Sequence, residues 1–403
     1  MKLRSILFIL MLILLAGCQQ TSATETSVAE TVTPLATDGG AAPTITATQV
    51  TPTNEPTVEP TIEQATPEPG TVSSGLLVQQ PDLSLIVIDP ATGQIAPFGT
   101  PGVQLFPGSH TTIDVAQGKV YAIANQQIYE VTPAGTRVLN QYGIAVQGLA
   151  VLPVEGAPDH PLIAFGTMEP PQTRLIISPV DGFDATVVAE QEMTVEESYF
   201  APIRWSDDGQ KLYYSIEPTG LGGYILFGGF SNLYIYDSPT NTSTVLVPES
   251  MLGEQMVCLD DLSPDEKLVA HHCGNEGIGI VDTEAGQQLT LITTPADVTG
   301  WTVGGSAKFS PSGGKIAFAV AKNDPAAEQG WVIATDDLSG TSHLVATSAP
   351  GEYFTVAGWV DENTLVLQSY GNPLGSGPIV WIVPASGGEP TKIADGYYLT
   401  MMH

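Results

Sequence analysis

The feature that most constrains this chain is a turn that returns seven times. The copies lie at 89–93, 132–135, 179–182, 237–241, 282–286, 336–340 and 384–387, each rich in Pro, Asp, Ser or Thr. Six close on glycine (Gly93, Gly135, Gly182, Gly286, Gly340, Gly387) and one on Asn241. Gly and Asn reach positive φ at least cost, so the closing position marks a tight reversal between two extended runs. The spacing averages ~49 residues, the length of one supersecondary unit in a repeat architecture.

A second turn, flanked by apolar runs, falls between these copies. It is clearest in WSDDGQKLYY at 205–214 and FSPSGGKIAF at 309–318, and recurs with losses at 262–270 and 359–367. Both turn families read as hairpins. Two hairpins per period make one four-stranded antiparallel sheet, and radial repetition of such sheets protects their edges. The expected fold is therefore all-β, a seven-bladed β-propeller of four-stranded antiparallel blades over residues 76–403. The first unit starts at Leu76 without an inner strand, while 397–402 reads as a strand left over at the other end. The C-terminal strand is expected to complete the first blade and close the ring. Composition agrees: 42 Gly and 32 Pro with only 14% charged residues exclude an all-helical chain.

The hairpins WSDDGQKLYY and FSPSGGKIAF resemble the repeats of TolB-like, WD-like-repeat propellers, periplasmic domains related in pattern to the propeller halves of prolyl peptidases. The resemblance covers 76–403 and implies a fold rather than an activity. In that family the turn Asp and Gly are structural, which makes Asp208 and Gly209 turn residues here.

The amino terminus addresses the compartment. Lys2 and Arg4 precede an unbroken apolar run at 6–15, followed at once by Leu15-Ala16-Gly17-Cys18. Ten residues rise only about 15 Å in a helix, half of a hydrocarbon core, so the run reads as an export signal over 1–17 rather than a span. Leu15-Ala16-Gly17-Cys18 resembles the lipobox of bacterial lipoproteins. The resemblance implies cleavage before Cys18, acylation of its thiol and new amino group, and a cell-envelope, extracytoplasmic location on a membrane. Gln19 rather than Asp follows the Cys, which favours the outer membrane where there are two. From 19 to 75 the chain has 15 Thr, 7 Pro and seven acids, with no Lys, Arg or aromatic residue. Such a segment cannot form a core, so 18–75 is expected to be a disordered, lipid-anchored stalk.

Chemistry is sparse. With 12 Lys+Arg against 43 Asp+Glu the net charge is -31, which excludes nucleic acid as a partner. The excess acid either gathers divalent cations, Ca²⁺ being the one ion expected if any, or keeps the domain soluble. There is no Gly-x-Ser-x-Gly elbow, no sialidase-type Ser-x-Asp-x-Gly-x-x-Trp repeat and no glycine-rich phosphate loop. His271-His272 and Asp260-Asp261 are adjacent pairs, and neighbours on a strand point to opposite faces, so neither is expected to chelate one ion or form a catalytic pair. No catalytic residue, metal ligand or bound cofactor is assigned.

Three further features carry expectations. Cys258 and Cys273 flank the turn 263–266 almost symmetrically, which places them opposite each other on adjacent strands and predicts a disulfide. An insertion at 217–230, long, Gly-rich and apolar, separates two strands of the fourth blade. Exposed apolar surface of this kind usually has a partner, so Tyr224, Phe227 and Phe230, with Tyr199, Phe200 and Tyr370 on nearby loops, are candidate contacts. The expected function is a membrane-anchored binding or scaffolding module for an envelope protein or a small extracellular ligand. The alternatives are an extracytoplasmic enzyme that processes carbohydrate or peptide through channel carboxylates, and a substrate-capture lipoprotein of a transporter.

Overall fold

The computed structural model describes residues 74–105, 112–139, 145–153, 161–180, 185–193, 198–218, 226, 229–247, 258–272, 276–322, 329–371 and 377–402. The expected signal at 1–17 and the stalk up to residue 73 lie outside the described residues.

The strands fall into seven four-stranded antiparallel sheets. Blade one begins with β1 (Gly75–Gln79), β2 (Leu85–Ile88) and β3 (Ile95–Gly99). Blade two holds β4 (Ile113–Ala116), β5 (Lys119–Ala124), β6 (Gln127–Thr132) and β7 (Gly135–Val138). Blade three holds β8 (Ala145–Leu152), β9 (Leu162–Glu169), β10 (Gln172–Pro179) and β11 (Thr186–Glu192). Blade four holds β12 (Ser198–Trp205), β13 (Lys211–Pro218), β14 (Leu233–Asp237) and β15 (Thr242–Val247). Blade five holds β16 (Cys258–Leu262), β17 (Leu268–His272), β18 (Ile278–Asp282) and β19 (Gln287–Ile292). Blade six holds β20 (Val303–Phe309), β21 (Ile316–Lys322), β22 (Gln329–Thr335) and β23 (Ser342–Thr347). Blade seven holds β24 (Glu352–Asp361), β25 (Thr364–Gly371), β26 (Ile379–Pro384) and β27 (Thr391–Asp395). The last strand, β28 (Tyr397–Met402), returns to blade one and pairs with β1, giving the order β28-β1-β2-β3.

Strand periodicity explains why seven sheets make one ring. Alternate side chains point to opposite faces, so each blade offers an apolar face to both neighbours. Leu77, Leu85 and Val87 of blade one meet Ile113 and Val120 of blade two. Blades two and three share Tyr121, Leu149 and Phe165, and blades three and four share Leu175, Phe200 and Leu212. Tyr213 and Leu259 join four to five, Ile280 and Phe318 join five to six, and Val332 and Leu365 join six to seven. The circuit closes where Val366 and Val380 of blade seven pack on Leu76, Val78 and Ile86 of blade one, with Tyr398 of β28. The fold is a closed seven-bladed propeller, and the C-terminal strand closes it.

The turn chemistry follows the sequence. Ser206 Oγ donates to Asp208 (2.6 Å) and accepts from the Lys211 amide (2.9 Å), while Asp208 also accepts from the Gln210 amide (3.0 Å). Ser263 and Asp265 repeat the pattern at 2.7 Å. These bonds hold the Asp208 and Asp265 carboxyls below the usual range and fix them in the turns. Blades three and four come close at Gly166 of β9, where a Cβ would stand 1.8 Å from the Phe200 carbonyl oxygen.

Candidate functional site

The inner strands β28, β4, β8, β12, β16, β20 and β24 each pair along one edge and turn the other toward the central channel. On blade five that free edge is not left bare. The amide of Phe230 donates to the Leu259 carbonyl (2.7 Å) and the Leu259 amide donates to the Phe230 carbonyl (2.8 Å). The blade-four insertion thus adds a bridge to the channel side of β16. Only glycine fits just before it, since a Cβ on Gly229 would lie 1.7 Å from the Leu259 oxygen. Further along, Leu226 is fully buried against Ala319, Ala321, Val303 and Tyr353, and its carbonyl accepts from Ser306 Oγ at 3.1 Å. The described residues of the insertion form a strap in two places: Gly229 and Phe230 lie on β16 of blade five, and Leu226 lies on blades six and seven.

Buried polar groups fix the base of this strap. The Glu217 carboxylate, buried at the end of β13, accepts from Ser215 Oγ, from the Ser231 amide (2.8 Å) and from Ser231 Oγ (2.8 Å). Asn232 bridges both polar groups of Ile216, accepting from its amide (2.8 Å) and donating to its carbonyl (3.0 Å). The half-buried Tyr199, paired with Glu217 across β12 and β13, has its hydroxyl pushed up to about 12 by burial and by that carboxylate.

Around the strap stand half-buried tyrosines. Tyr353 and Tyr370 are cross-strand partners on β24 and β25, stacked with centroids 5.5 Å apart. Burial, with Tyr353 and Tyr397 beside it, raises the Tyr370 hydroxyl well above its ordinary value. Tyr397 opens β28, so blades seven and one contribute to one aromatic cluster.

Deeper along β16 lies a charged set. Asp260 is buried, with Oδ2 3.7 Å from His272 Nδ1, and Asp261 lies 3.5 Å from Lys308 Nζ. Asp261 also accepts from the Phe309 amide (2.9 Å) on the next inner strand. Blade two repeats that device: Asp114 accepts from the Val151 amide at 2.7 Å. Asp114 keeps some solvent contact, yet its surroundings are close enough that burial pushes its carboxyl up to about 6. His271, on the opposite face of β17, is held neutral, pushed down to about 4 by burial and by His272. Among the described residues no group of three or more His, Cys, Asp or Glu is arranged to hold a metal ion.

The structure separates the candidates read from the sequence. Tyr199 and Tyr370 sit near strand ends on blades four and seven. Phe200 and Phe230 are 3% and 4% exposed and belong to the cores between blades three and four and blades four and five. Their burial assigns them to packing. Tyr224, Phe227, Cys18 and Cys273 lie outside the described residues; Cys258 opens β16, and the expected disulfide is therefore outside them too. Sequence reading missed Tyr353 and Tyr397, for which the only signal was an aromatic at the start of an inner strand, and Asp114, which no motif marks.

Fold and site together define a seven-bladed propeller in which Phe230 bridges to the inner strand of blade five and half-buried tyrosines stand on blades four, seven and one. No family model matches the chain, and no curated protein matches it. Among solved structures it is similar to TolB from Acinetobacter baumannii, at 15% identity over 69% of this chain with TM-score 0.41; it spans 64% of that TolB chain. It is also similar to an oligogalacturonate lyase in complex with manganese (14% identity, 80% of this chain and 86% of that one, TM-score 0.47). A third is the β-propeller domain of Cps50 (Swd1) from Myceliophteria thermophila (9%, 72% and 86%, 0.43). The propeller assignment rests on the strand order and the seven interblade cores.

Proposed function

We propose that the chain is an exported, lipid-anchored envelope protein whose propeller is a binding module for an envelope protein or a small extracellular ligand. The observation that carries the binding reading is the set of half-buried tyrosines, Tyr199 on blade four and Tyr353, Tyr370 and Tyr397 on blades seven and one. Tyrosine supplies a large apolar face and a polar tip at small entropic cost, the combination that anchors recognition surfaces. Support for the anchor comes from Leu15-Ala16-Gly17-Cys18 and the Thr- and Pro-rich stretch behind it.

The enzyme reading would draw on Asp260 beside His272. Asp260 lies buried on β16, next to Leu259, whose channel edge bonds to Phe230, and that burial favours the binding reading.

Two experiments test the proposal. Radiolabelled palmitate should enter the wild-type chain in its host and not the Cys18→Ala variant; equal labelling of both would defeat the anchor. Residues 76–403 should retain one protein or one small molecule from envelope extract, with or without Ca²⁺, and the Tyr353→Ala/Tyr370→Ala variant should lose it. Retention unchanged by both substitutions would defeat the tyrosine surface.

A further inference from the structure

We propose that the end of the ring at which the inner strands begin docks a Lys- and Arg-rich segment of a partner protein, with Tyr353, Tyr370 and Trp301 as its aromatic anchors. This deepens the binding reading above and rests on it.

Topology brings the anchors together. Antiparallel order puts both families of hairpin turn at one end of the propeller and the start of the inner strands at the other. Short connections hold that arrangement: residues 348–351 lead from β23 to β24, and Gly396 alone leads from β27 to β28. Aromatic residues gather where the inner strands begin. Tyr199 and Tyr353 are the second residues of β12 and β24, Tyr397 is the first of β28, and Trp301 stands two positions before β20. Register with Tyr353 carries Tyr370 to the same end, and the two rings stack. All five keep part of their surface in solvent. Packing against Val303, Ala319 and Ala321 steadies Tyr353, and the Trp301 indole donates to Thr294 Oγ1 at 3.2 Å.

Charge is divided between the same two ends. Residues 76–403 hold ten Lys and Arg against 36 Asp and Glu. Eight of the ten cations lie toward the hairpin-turn end, Lys211, Lys267 and Lys315 at the turns themselves. Arg174 and Lys322 alone lie toward the aromatic end, and Arg174 is engaged with Glu190 (2.6 Å) and Glu169 (3.1 Å). Acids are plentiful there. Asp82, Glu276 and Asp297 are exposed in its connections, and Glu352 is half-buried beside Tyr353. None of these four is ion-paired among the described residues.

Carboxylates without counter-ions draw cations toward a surface over about 8 Å in physiological salt. An aromatic ring then holds an ammonium or guanidinium within about 6 Å of its centroid through its quadrupole. Lys and Arg side chains meet both demands, because each joins a charged head to an apolar stem. A bare metal ion would leave the rings unused, a neutral sugar would leave the charge unused, and an anionic partner would be repelled.

Fluorescence anisotropy of labelled octa-arginine with the full chain in detergent, at about 0.15 M salt, tests the proposal. Saturable binding is expected, and none of octa-glutamate. Tyr353→Leu/Tyr370→Leu keeps apolar bulk and removes the quadrupoles, so it should weaken binding by about five-fold or more, whereas Tyr353→Phe/Tyr370→Phe should stay within about two-fold of wild type. Should the Leu pair not fold, Glu276→Gln/Glu352→Gln serves, with a loss of about three-fold or more, while Asp207→Asn/Glu284→Gln removes equal charge at the hairpin-turn end and should change nothing. A Leu pair that binds like wild type, or equal losses from the two charge pairs, would show attraction by net charge alone and overturn the proposal. Tetramethylammonium competing at the concentration of octa-arginine would assign the site to a small cation and overturn the polypeptide partner. Capture from envelope extract separates this failure from that of the binding reading: a partner lost with Tyr353→Ala/Tyr370→Ala yet not displaced by octa-arginine would keep the tyrosine surface and overturn its cationic occupant.

Discussion

Replacing Phe230 by Ala separates packing from recognition at the residue where the two readings differ most. The Phe230 ring is 4% exposed and lies among Tyr213, Leu233, Val247, Leu259, Leu262 and Val269, at the junction of blades four and five. Its backbone bonds to Leu259 do not need the side chain, so the substitution removes the ring and leaves the bridge. Phe→Ala at a closed core site costs about 3–5 kcal/mol, transfer and cavity together. For a domain of roughly 330 residues the unfolding entropy near its midpoint is about 0.7 kcal/mol/K, so Tm should fall by about 4–7 °C. Differential scanning calorimetry of 76–403 and of its Phe230→Ala variant measures it. A ligand-facing Phe would behave otherwise: its loss would weaken partner capture and leave Tm in place. A change of less than about 1 °C would refute the assignment of Phe230 to the interblade core.

Four other outcomes are expected. Gly166→Ala must push the Phe200 carbonyl away from a Cβ 1.8 Å distant, so it should destabilise by about 3 kcal/mol or fail to accumulate as soluble protein. Gly377→Ala, with nothing within 4 Å of the added carbon, should be silent, and equal behaviour of the two would contradict the blade spacing. His271 is buried neutral with its native value pushed down to about 4, below the ordinary 6.5, so its contribution is complete above about pH 6.5 and is lost as pH falls through 4. Urea unfolding at about pH 7 and pH 4 should show the wild type losing ~3 kcal/mol more than His271→Gln, and equal losses would show that His271 titrates freely. A double-mutant cycle on Tyr353 and Tyr370 should give a coupling of about 0.5–1.5 kcal/mol from their stack, whereas additivity would mean that the rings do not touch in solution.

The fold was legible because its turns are written in residues with few alternatives. Asn241 at φ +53° and Gly286 at φ +62° sit where the repeat spacing required a left-handed residue. The Ser206–Asp208 and Ser263–Asp265 turns use the same three bonds in two blades. Ring closure was readable as arithmetic, one strand lacking at the start and one left over at the end. Blade two was harder, since its first hairpin turns through Gln117 and Gly118 at positive φ with no Ser or Asp to announce it. The site was far less legible. Phe230 and Leu226 read as exposed apolar residues in a loop, because nothing local says that Leu259 and Ser306, 29 and 80 positions downstream, will receive them. Bulges are equally silent in sequence. Asp260 and Asp261 look like strand neighbours on opposite faces, yet the bulge at Asp260 is what sets its carboxylate between β17 and β20.

The propeller is a ring closed by its own last strand, and hydrogen exchange measures that closure directly. In β28 the residues Met402, Met401, Thr400, Tyr398 and Tyr397 pair with Gly75, Leu76, Leu77, Val78 and Gln79 of β1. Peptides covering 397–402 should therefore exchange as slowly as those covering 75–79, and both should be released together on global unfolding. Exchange of 397–402 within seconds under native conditions, with 75–79 unprotected on that edge, would show a frayed tail and an open ring, and would contradict the account.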